Sequence, residues 1–337
     1  MSEELLDQCF SQPFEKLGPL FDEAYRISRS NFSNLIHFYV PGMVHFDTPF
    51  YKSNGSHGFP GISVTARSCQ LNCEHCHGKL LESMIPATTP QELYDVCVEI
   101  RERGSRGCLI SGGSLRDGSV PLMDFVPTIR RIKQNLGLKV VVHTGLIYPP
   151  LAVALAEANV DAAMIDVIGS KDTIKEVYHL DHDTDSFDHS LSLLEQQNIP
   201  TVPHIVVGIH YGKLKGEREA LAMILMHRPA AIVVVALMPL AHTPLEQVMP
   251  PSPQEIARVV LAARLSMPST PLLLGCARPR GTHKVETDIL AIKAGVNGIA
   301  YPSEEVCNFA RDLGLGFGFQ QQCCSLLWQD IGLTRVR

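Results

Sequence analysis

Apolar positions along this chain change their spacing near residue 59. Upstream, segments such as Phe21-Asp22-Glu23-Ala24-Tyr25-Arg26-Ile27-Ser28-Arg29 repeat at helical spacing. The run Phe38-Tyr39-Val40-Pro41-Gly42 reads as extended, because the residue before a proline is pushed out of the helical region. Residues 1–58 therefore read as an N-terminal cap. From residue 59 onward, short β-branched runs alternate with amphipathic stretches of helical length. Strands are predicted at Gly61–Ala66, Gly107–Ser111, Lys139–His143, Ala162–Val167, Thr201–Val207, Ala231–Leu237, Pro271–Leu274 and Gly298–Tyr301. Helices are predicted between them, at Gln91–Arg103, Met123–Leu136, Leu151–Ala158, Ser186–Gln197, Lys215–His227, Pro253–Ser266, Lys284–Ala294 and Glu304–Leu313. Eight such units are the number that closes a parallel barrel. The expected class is α/β, a full (βα)8 TIM-type barrel over residues 59–313, with a doubly wound open sheet as the alternative. Residues 314–337 start with the loop-like run Gly314-Leu315-Gly316-Phe317-Gly318-Phe319 and then carry Cys323-Cys324. They read as a tail folded over the barrel mouth.

The sharpest chemistry follows the first predicted strand. Cys69, Cys73 and Cys76 stand at C-x3-C-x2-C spacing in Arg67-Ser68-Cys69-Gln70-Leu71-Asn72-Cys73-Glu74-His75-Cys76-His77-Gly78. Three thiolates this close on one loop can hold three irons of a 4Fe–4S cluster and leave the fourth iron without a protein ligand. A structural zinc site fits less well, since no second pair follows at finger-like spacing. In a parallel barrel the catalytic groups lie at the C-terminal ends of the strands. Those ends here carry Gly112-Gly113-Ser114, His143-Thr144, Asp166, Val207-Gly208 and Cys276, with Arg278 and Arg280 close behind. Asp166 interrupts an apolar run, so it needs a hydrogen-bonding or cationic partner. The two arginines are candidates to bind a carboxylate by bidentate hydrogen bonds. If the tail folds back over the mouth, Cys276, Cys323 and Cys324 together can ligate a second cluster; otherwise they are small buried hydrophobes. Arg264 reads as a solvated helix arginine.

Composition narrows the partners. With 45% hydrophobic and 19% charged residues, a large packed core is expected rather than disorder. A formal charge of -6 argues against nucleic acid as a partner. No apolar run is long enough to span a bilayer, and the acidic start Met1-Ser2-Glu3-Glu4 lacks a signal-peptide pattern, so a cytoplasmic location is expected. Ten cysteines without an export signal point to reduced thiols and metal ligation rather than disulfides.

The C-x3-C-x2-C loop resembles that of the radical S-adenosylmethionine (SAM) enzymes. The resemblance implies that the open iron chelates SAM and that an electron from the cluster splits it to a 5′-deoxyadenosyl radical. It also implies roles for the strand ends. Gly112, Gly113 and Ser114 stand where the family usually has Gly-Gly-Glu, whose backbone meets the SAM amino group. Ser114 replaces the acid, which leaves only the backbone role. His143, Thr144 and Asp166 fall where the family holds the SAM ribose and carboxylate, and Val207 and Gly208 where it flanks the adenine. The run Thr243-Pro244-Leu245-Glu246 and the helix with Ala263-Arg264-Leu265 look like the biotin-synthase branch. Biotin synthase itself places auxiliary-cluster cysteines on mid-barrel strands, where this chain has His143-Thr144 and Val207-Gly208.

The stretches Phe38–Gly42, Phe59–Thr65, Gly275–Gly281 and Cys323–Leu326 resemble the two-component lipoyl synthases. That likeness implies sulfur insertion into an octanoyl chain on a lysine of a lipoyl carrier protein. It further implies a second radical SAM subunit and an electron donor such as ferredoxin or flavodoxin. Two alternatives remain open at this level. One is a radical SAM mutase or cyclase of a small carboxylate metabolite, without an auxiliary cluster. The other is a non-catalytic iron–sulfur partner subunit.

Overall fold

The computed structural model describes residues 2–42, 46–52 and 58–333; residues 1, 43–45 and 53–57 of the N-terminal segment and 334–337 of the tail lie outside them. The strands are β1 (Leu35–Tyr39), β2 (Asp47–Thr48), β3 (Tyr51–Lys52), β4 (Gly61–Ser63), β5 (Ile85–Pro86), β6 (Gly107–Ser111), β7 (Lys139–His143), β8 (Ala162–Asp166), β9 (Thr201–Val207), β10 (Ile232–Ala236), β11 (Leu272–Leu274), β12 (Gly298–Ala300) and β13 (Gly316–Gln320). β2 and β3 form a small antiparallel hairpin. The other eleven form one sheet in the order β13-β1-β12-β11-β10-β9-β8-β7-β6-β4-β5, parallel throughout.

All eight predicted strands are present, and helices alternate with them as expected. Two helices begin on proline behind a reciprocal cap. Thr89 and Ser252 accept from the backbone N–H groups of Glu92 and Glu255, whose side chains reach back to them. The α/β parallel class is therefore the observed one. Its closure is less complete than the full barrel expected. The sheet curls into a partial barrel with no ladder between β5 and β13. Near the seam, the Phe59 N–H donates to the Pro41 carbonyl at 2.8 Å.

The ends of the chain differ from the reading above. The N-terminal segment is not a separate cap, because β1 lies inside the sheet between β13 and β12. Its helices, Ser2–Ser11 and Gly18–Asn31, pack on the outer helix Pro253–Ser266. The loop-like run of the tail is strand β13, paired to β1. Beyond it the chain turns into the barrel rather than over its mouth. Cys324, Leu326 and Leu327 join the interior core with Tyr39, Val141, Met164, Val233 and Leu273. The helix Leu327–Leu333 then closes the base. Lys139, at the N-terminal start of β7, donates to Gln329 at 2.6 Å, and Tyr39 donates to Asp330 at 2.6 Å. The interior therefore has a floor made from the C-terminus, and the open end is the one that carries the strand C-termini.

Arg264 is fully buried, not solvated. Its guanidinium donates to the carbonyls of Gly295 (3.0 Å), Pro268 (3.1 Å) and Thr270 (3.0 Å) and to Asn297 Oδ1 (2.6 Å). Asn297 Oδ1 also accepts from the Leu272 N–H, so one arginine ties the outer helix to the starts of β11 and β12. Burial, with no carboxylate to offset it, pulls its pKa down to about 9. Arg264→Met should leave these acceptors without partners and cost roughly 3 kcal/mol or more, read as a lower urea midpoint at unchanged slope.

Candidate active site

Alternation along the strands decides which groups meet. Val140 and Val142 face the helices, so Val141 and His143 face inward; Ala163 and Ile165 face out, so Met164 and Asp166 face in. β8 and β9 are in register at Asp166 and His204. His143, Asp166 and His204 thus converge at the inner mouth. His143 Nε2 lies 3.5 Å from Asp166 Oδ1, and the two imidazole rings are 6.1 Å apart. Burial opposes charge on both members of the pair, yet each sustains the other. Asp166 lifts the His143 pKa above its ordinary value, and His143 holds Asp166 below the usual carboxylate range. His204 takes the opposite course: burial pushes it down to about 4, so it stays neutral. His204 was not a sequence candidate. Its signal was a lone polar residue in the apolar run of β9, as Asp166 is in β8.

The cysteine loop is held against the end of β6 by backbone contacts. The Gln70 N–H donates to the Ser114 carbonyl at 2.8 Å, and the Gly113 N–H donates to Thr65 Oγ1 at 2.7 Å. A Cβ on Gly113 would sit 2.0 Å from the Ser68 carbonyl oxygen and 2.6 Å from Cys69 Cα, so only glycine permits this approach. Cys69, Cys73 and Cys76 line one cavity of about 280 Å³ together with Gly112, Gly113, Ser114, His143 and Asp166. Among the described residues, no three His, Cys, Asp or Glu side chains are gathered tightly enough for a single metal ion. The three thiols face one cavity, which suits a cluster that takes each thiolate on a different iron. Burial, then the neighbouring thiols, push Cys73 far above its ordinary value, and burial pushes Cys76 up to about 11. Ligation to iron would release those protons. Two buried polar atoms in the cavity wall, Tyr178 Oη and His75 Nδ1, have no hydrogen-bond partner among the described residues. Three thiols, a glycine cradle and unpartnered polar atoms fit a cluster with a polar ligand beside it.

The model of the Radical SAM superfamily matches residues 63–220, and that of the Biotin and Thiamin Synthesis associated domain matches residues 234–329. Together these matches support a radical SAM protein. The second match and the biotin synthase relatives support the biotin-synthase-like branch. It is 26% identical over 253 residues to a biotin synthase of Beijerinckia indica subsp. indica, covering 71% of this chain and 75% of the relative. Solved structures share the fold. A methylornithine synthase aligns over 98% of this chain and 96% of its own, with a TM-score of 0.65 at 13% identity. An FeFe-hydrogenase maturase from Carboxydothermus hydrogenoformans aligns over 95% of this chain and 76% of its own, with a TM-score of 0.64 at 14% identity. The radical SAM match and the biotin synthase relatives imply a 4Fe–4S cluster and SAM as cofactors.

Several residues expected at the radical SAM site are elsewhere. Thr144 follows the inward His143, so it is fully buried, with its hydroxyl donating to the Gly145 carbonyl at 2.9 Å. Val207 faces the outer core. Gly208 turns through φ +70 against the ring of Pro251 and donates its N–H to Glu217. Arg278 does not reach the cavity. It is buried in the wall, donating to both carboxylate oxygens of Asp288 (2.6 and 3.0 Å) and to the Gly275 (2.5 Å) and Ala300 (2.8 Å) carbonyls. A guanidinium so engaged braces the ends of β11 and β12 and cannot clamp a substrate carboxylate. Arg280 is exposed at the rim.

The other thiols do converge. Cys323 and Cys324 are neighbours in the chain, and both lie within electrostatic reach of Cys276. Cys324 lowers Cys323 to about 7, and Cys323 lies close enough to His143 to be stabilised further as a thiolate. Cys276 keeps free surface although protein surrounds it, as a group facing the barrel interior does.

Gly113→Ala should displace the cysteine loop and cut the iron and labile sulfide taken up on anaerobic reconstitution by more than half, at near-native helix content by circular dichroism. His204 supplies a pH effect. The unfolded imidazole takes a proton near pH 6.5, the folded one only near pH 4. Between those values the unfolded chain binds the extra proton, so stability falls as pH drops. Unfolding free energy should decrease by about 2 kcal/mol from this group between pH 7 and 5, a loss that His204→Asn should abolish in denaturant titrations at the two pH values.

Proposed function

We propose that this radical SAM enzyme inserts sulfur, as one component of a lipoyl synthase acting on octanoyl-lysine of a lipoyl carrier protein. The observation that carries the proposal is the gathering of Cys276, Cys323 and Cys324 inside the barrel, near the His143–Asp166 pair of the SAM cavity. Sulfur insertion needs a sulfur source within reach of the carbon that loses hydrogen, and three interior thiols can hold a second iron–sulfur cluster as that source. In this reading Cys69, Cys73 and Cys76 hold the first cluster. The backbone of Gly112, Gly113 and Ser114, with His143 and Asp166, receives SAM. When bound, these cofactors supply a radical able to take hydrogen from an unactivated carbon.

The residues around the cavity do the remaining work. The floor formed by Leu326, Leu327 and the helix behind them closes the base against water, while the mouth stays open for a chain carried on another protein. The biotin-synthase-like relatives support the reaction class, since sulfur insertion is the chemistry of the named enzyme. A second radical SAM subunit, the carrier protein and an electron donor such as ferredoxin or flavodoxin are the partners this proposal requires.

Iron and labile sulfide per chain test the reading. After anaerobic reconstitution the native protein should hold about eight irons and Cys276→Ala about four. A value near four in both would remove the internal sulfur source and favour a mutase or cyclase of a small carboxylate metabolite. An iron-loaded protein that never cleaves SAM under reduction would instead indicate a non-catalytic partner subunit.

A further inference from the structure

Tyr178 belongs to neither the cysteine motif nor the strand-end set. It follows the short helix after β8, at Lys171–Glu176, and lies against the cysteine loop. The Glu74 N–H donates to the Val177 carbonyl at 2.9 Å, and the Tyr178 carbonyl lies 3.7 Å from Cys73 Sγ. Its ring packs on His75 with centroids 5.2 Å apart and planes at 49°. The side chain is more than nine-tenths buried and lines the cavity with the three motif cysteines. Its hydroxyl has no hydrogen-bond partner among the described residues. A phenol buried in that state loses the full value of a hydrogen bond unless something in the cavity accepts its proton. Asp166 is the carboxylate of the same cavity wall, and it is engaged by His143 at 3.5 Å. The three motif thiols share that wall, and Cys73 Sγ already lies 3.7 Å from the Tyr178 carbonyl.

We infer that the Tyr178 hydroxyl donates a hydrogen bond to a sulfur of the cluster held by Cys69, Cys73 and Cys76, and thereby raises its reduction potential. Hydrogen bonds to the sulfurs are among the levers that set the potential of such clusters. The reduced cluster carries one more negative charge, and a donor bonds more strongly to a more negative acceptor. The hydroxyl therefore favours the reduced form. A phenol ordinarily titrates near 10, so the donor is present at neutral pH. The inference needs the cluster but not the sulfur-insertion reading, and it stands whatever the substrate is.

The test is a redox titration of the reconstituted full chain, followed by electron paramagnetic resonance without SAM. It compares the native protein, Cys276→Ala (to isolate the first cluster's signal) and Cys276→Ala combined with Tyr178→Phe. The phenylalanine keeps the packing on His75 and removes only the donor. The expected result is unchanged iron in the first cluster and a roughly tenfold lower ratio of reduced to oxidised cluster at a fixed potential, 59 mV for a one-electron couple. Fluorotyrosine at position 178, a more acidic donor, should move the midpoint the other way. This second variant decides the matter if Tyr178→Phe fails to take up iron. An unmoved midpoint in either iron-loaded variant would overturn the inference. So would a loss of SAM affinity at constant midpoint, which would assign the hydroxyl to SAM.

Discussion

One backbone contact governs the rest of the site: the end of β6 pressed against the cysteine loop. The loop has no regular secondary structure to hold Cys69, Cys73 and Cys76 in place. It takes its position from the Ser114 carbonyl, which accepts from Gln70, and from Gly113, where a missing side chain lets the Ser68 carbonyl approach. A parallel sheet presents the C-terminal ends of all its strands on one face. Fixing the loop to one strand end therefore places it beside the ends of β7 and β8, where His143 and Asp166 emerge. The serine that stands in place of an acid after the two glycines still holds the loop, because its backbone carbonyl accepts from Gln70.

The interior then sorts its charges by whether a partner is available. Asp166 stays ionised because His143 stands 3.5 Å away, and His204 stays neutral because burial outweighs the pull of the Asp166 carboxylate, which His143 already shares. Two buried arginines follow the same rule in the walls. Arg278 is neutralised by Asp288, while Arg264 is surrounded by carbonyl oxygens alone and shifts toward neutrality. A buried cation costs several kcal/mol unless it is compensated, so both guanidiniums are committed to the fold and not to substrate.

Legibility in the sequence tracked how local each determinant is. The eight core strands and their helices were readable because a two-residue or 3.6-residue period is written into each segment. The cysteine loop was readable because its spacing is itself the ligand set. What escaped depends on distant residues. β1 and β13 are strands by virtue of each other and of β12, and neither shows a clean period: Gly316-Phe317-Gly318-Phe319 alternates glycine with phenylalanine, which reads as a loop until a partner strand fills its edge. Arg278 looked like a substrate clamp because Asp288, ten residues on, reveals itself only once the helix at Thr282–Lys293 is in place. Thr144 was lost by one step of the strand alternation that places His143 correctly.

The tail gives these separate facts a common sense. A partial barrel of this kind leaves its interior open at both ends unless something enters it. Here the C-terminal segment does so, with Leu326 and Leu327 filling the space among Met164, Val233 and Leu273 and the last described helix tied to Lys139 and Tyr39. Because the floor is made by the same segment that carries Cys323 and Cys324, closing the base and delivering the two thiols are one folding event. Cys276 comes from the opposite direction, off the end of β11, so the three thiols meet only when sheet and tail are both in place. In the proposed reaction an acceptor for hydrogen and a source of sulfur must lie near each other yet stay chemically separate. The inner mouth meets that requirement by putting His143 and Asp166 between two sets of cysteines drawn from opposite ends of the chain.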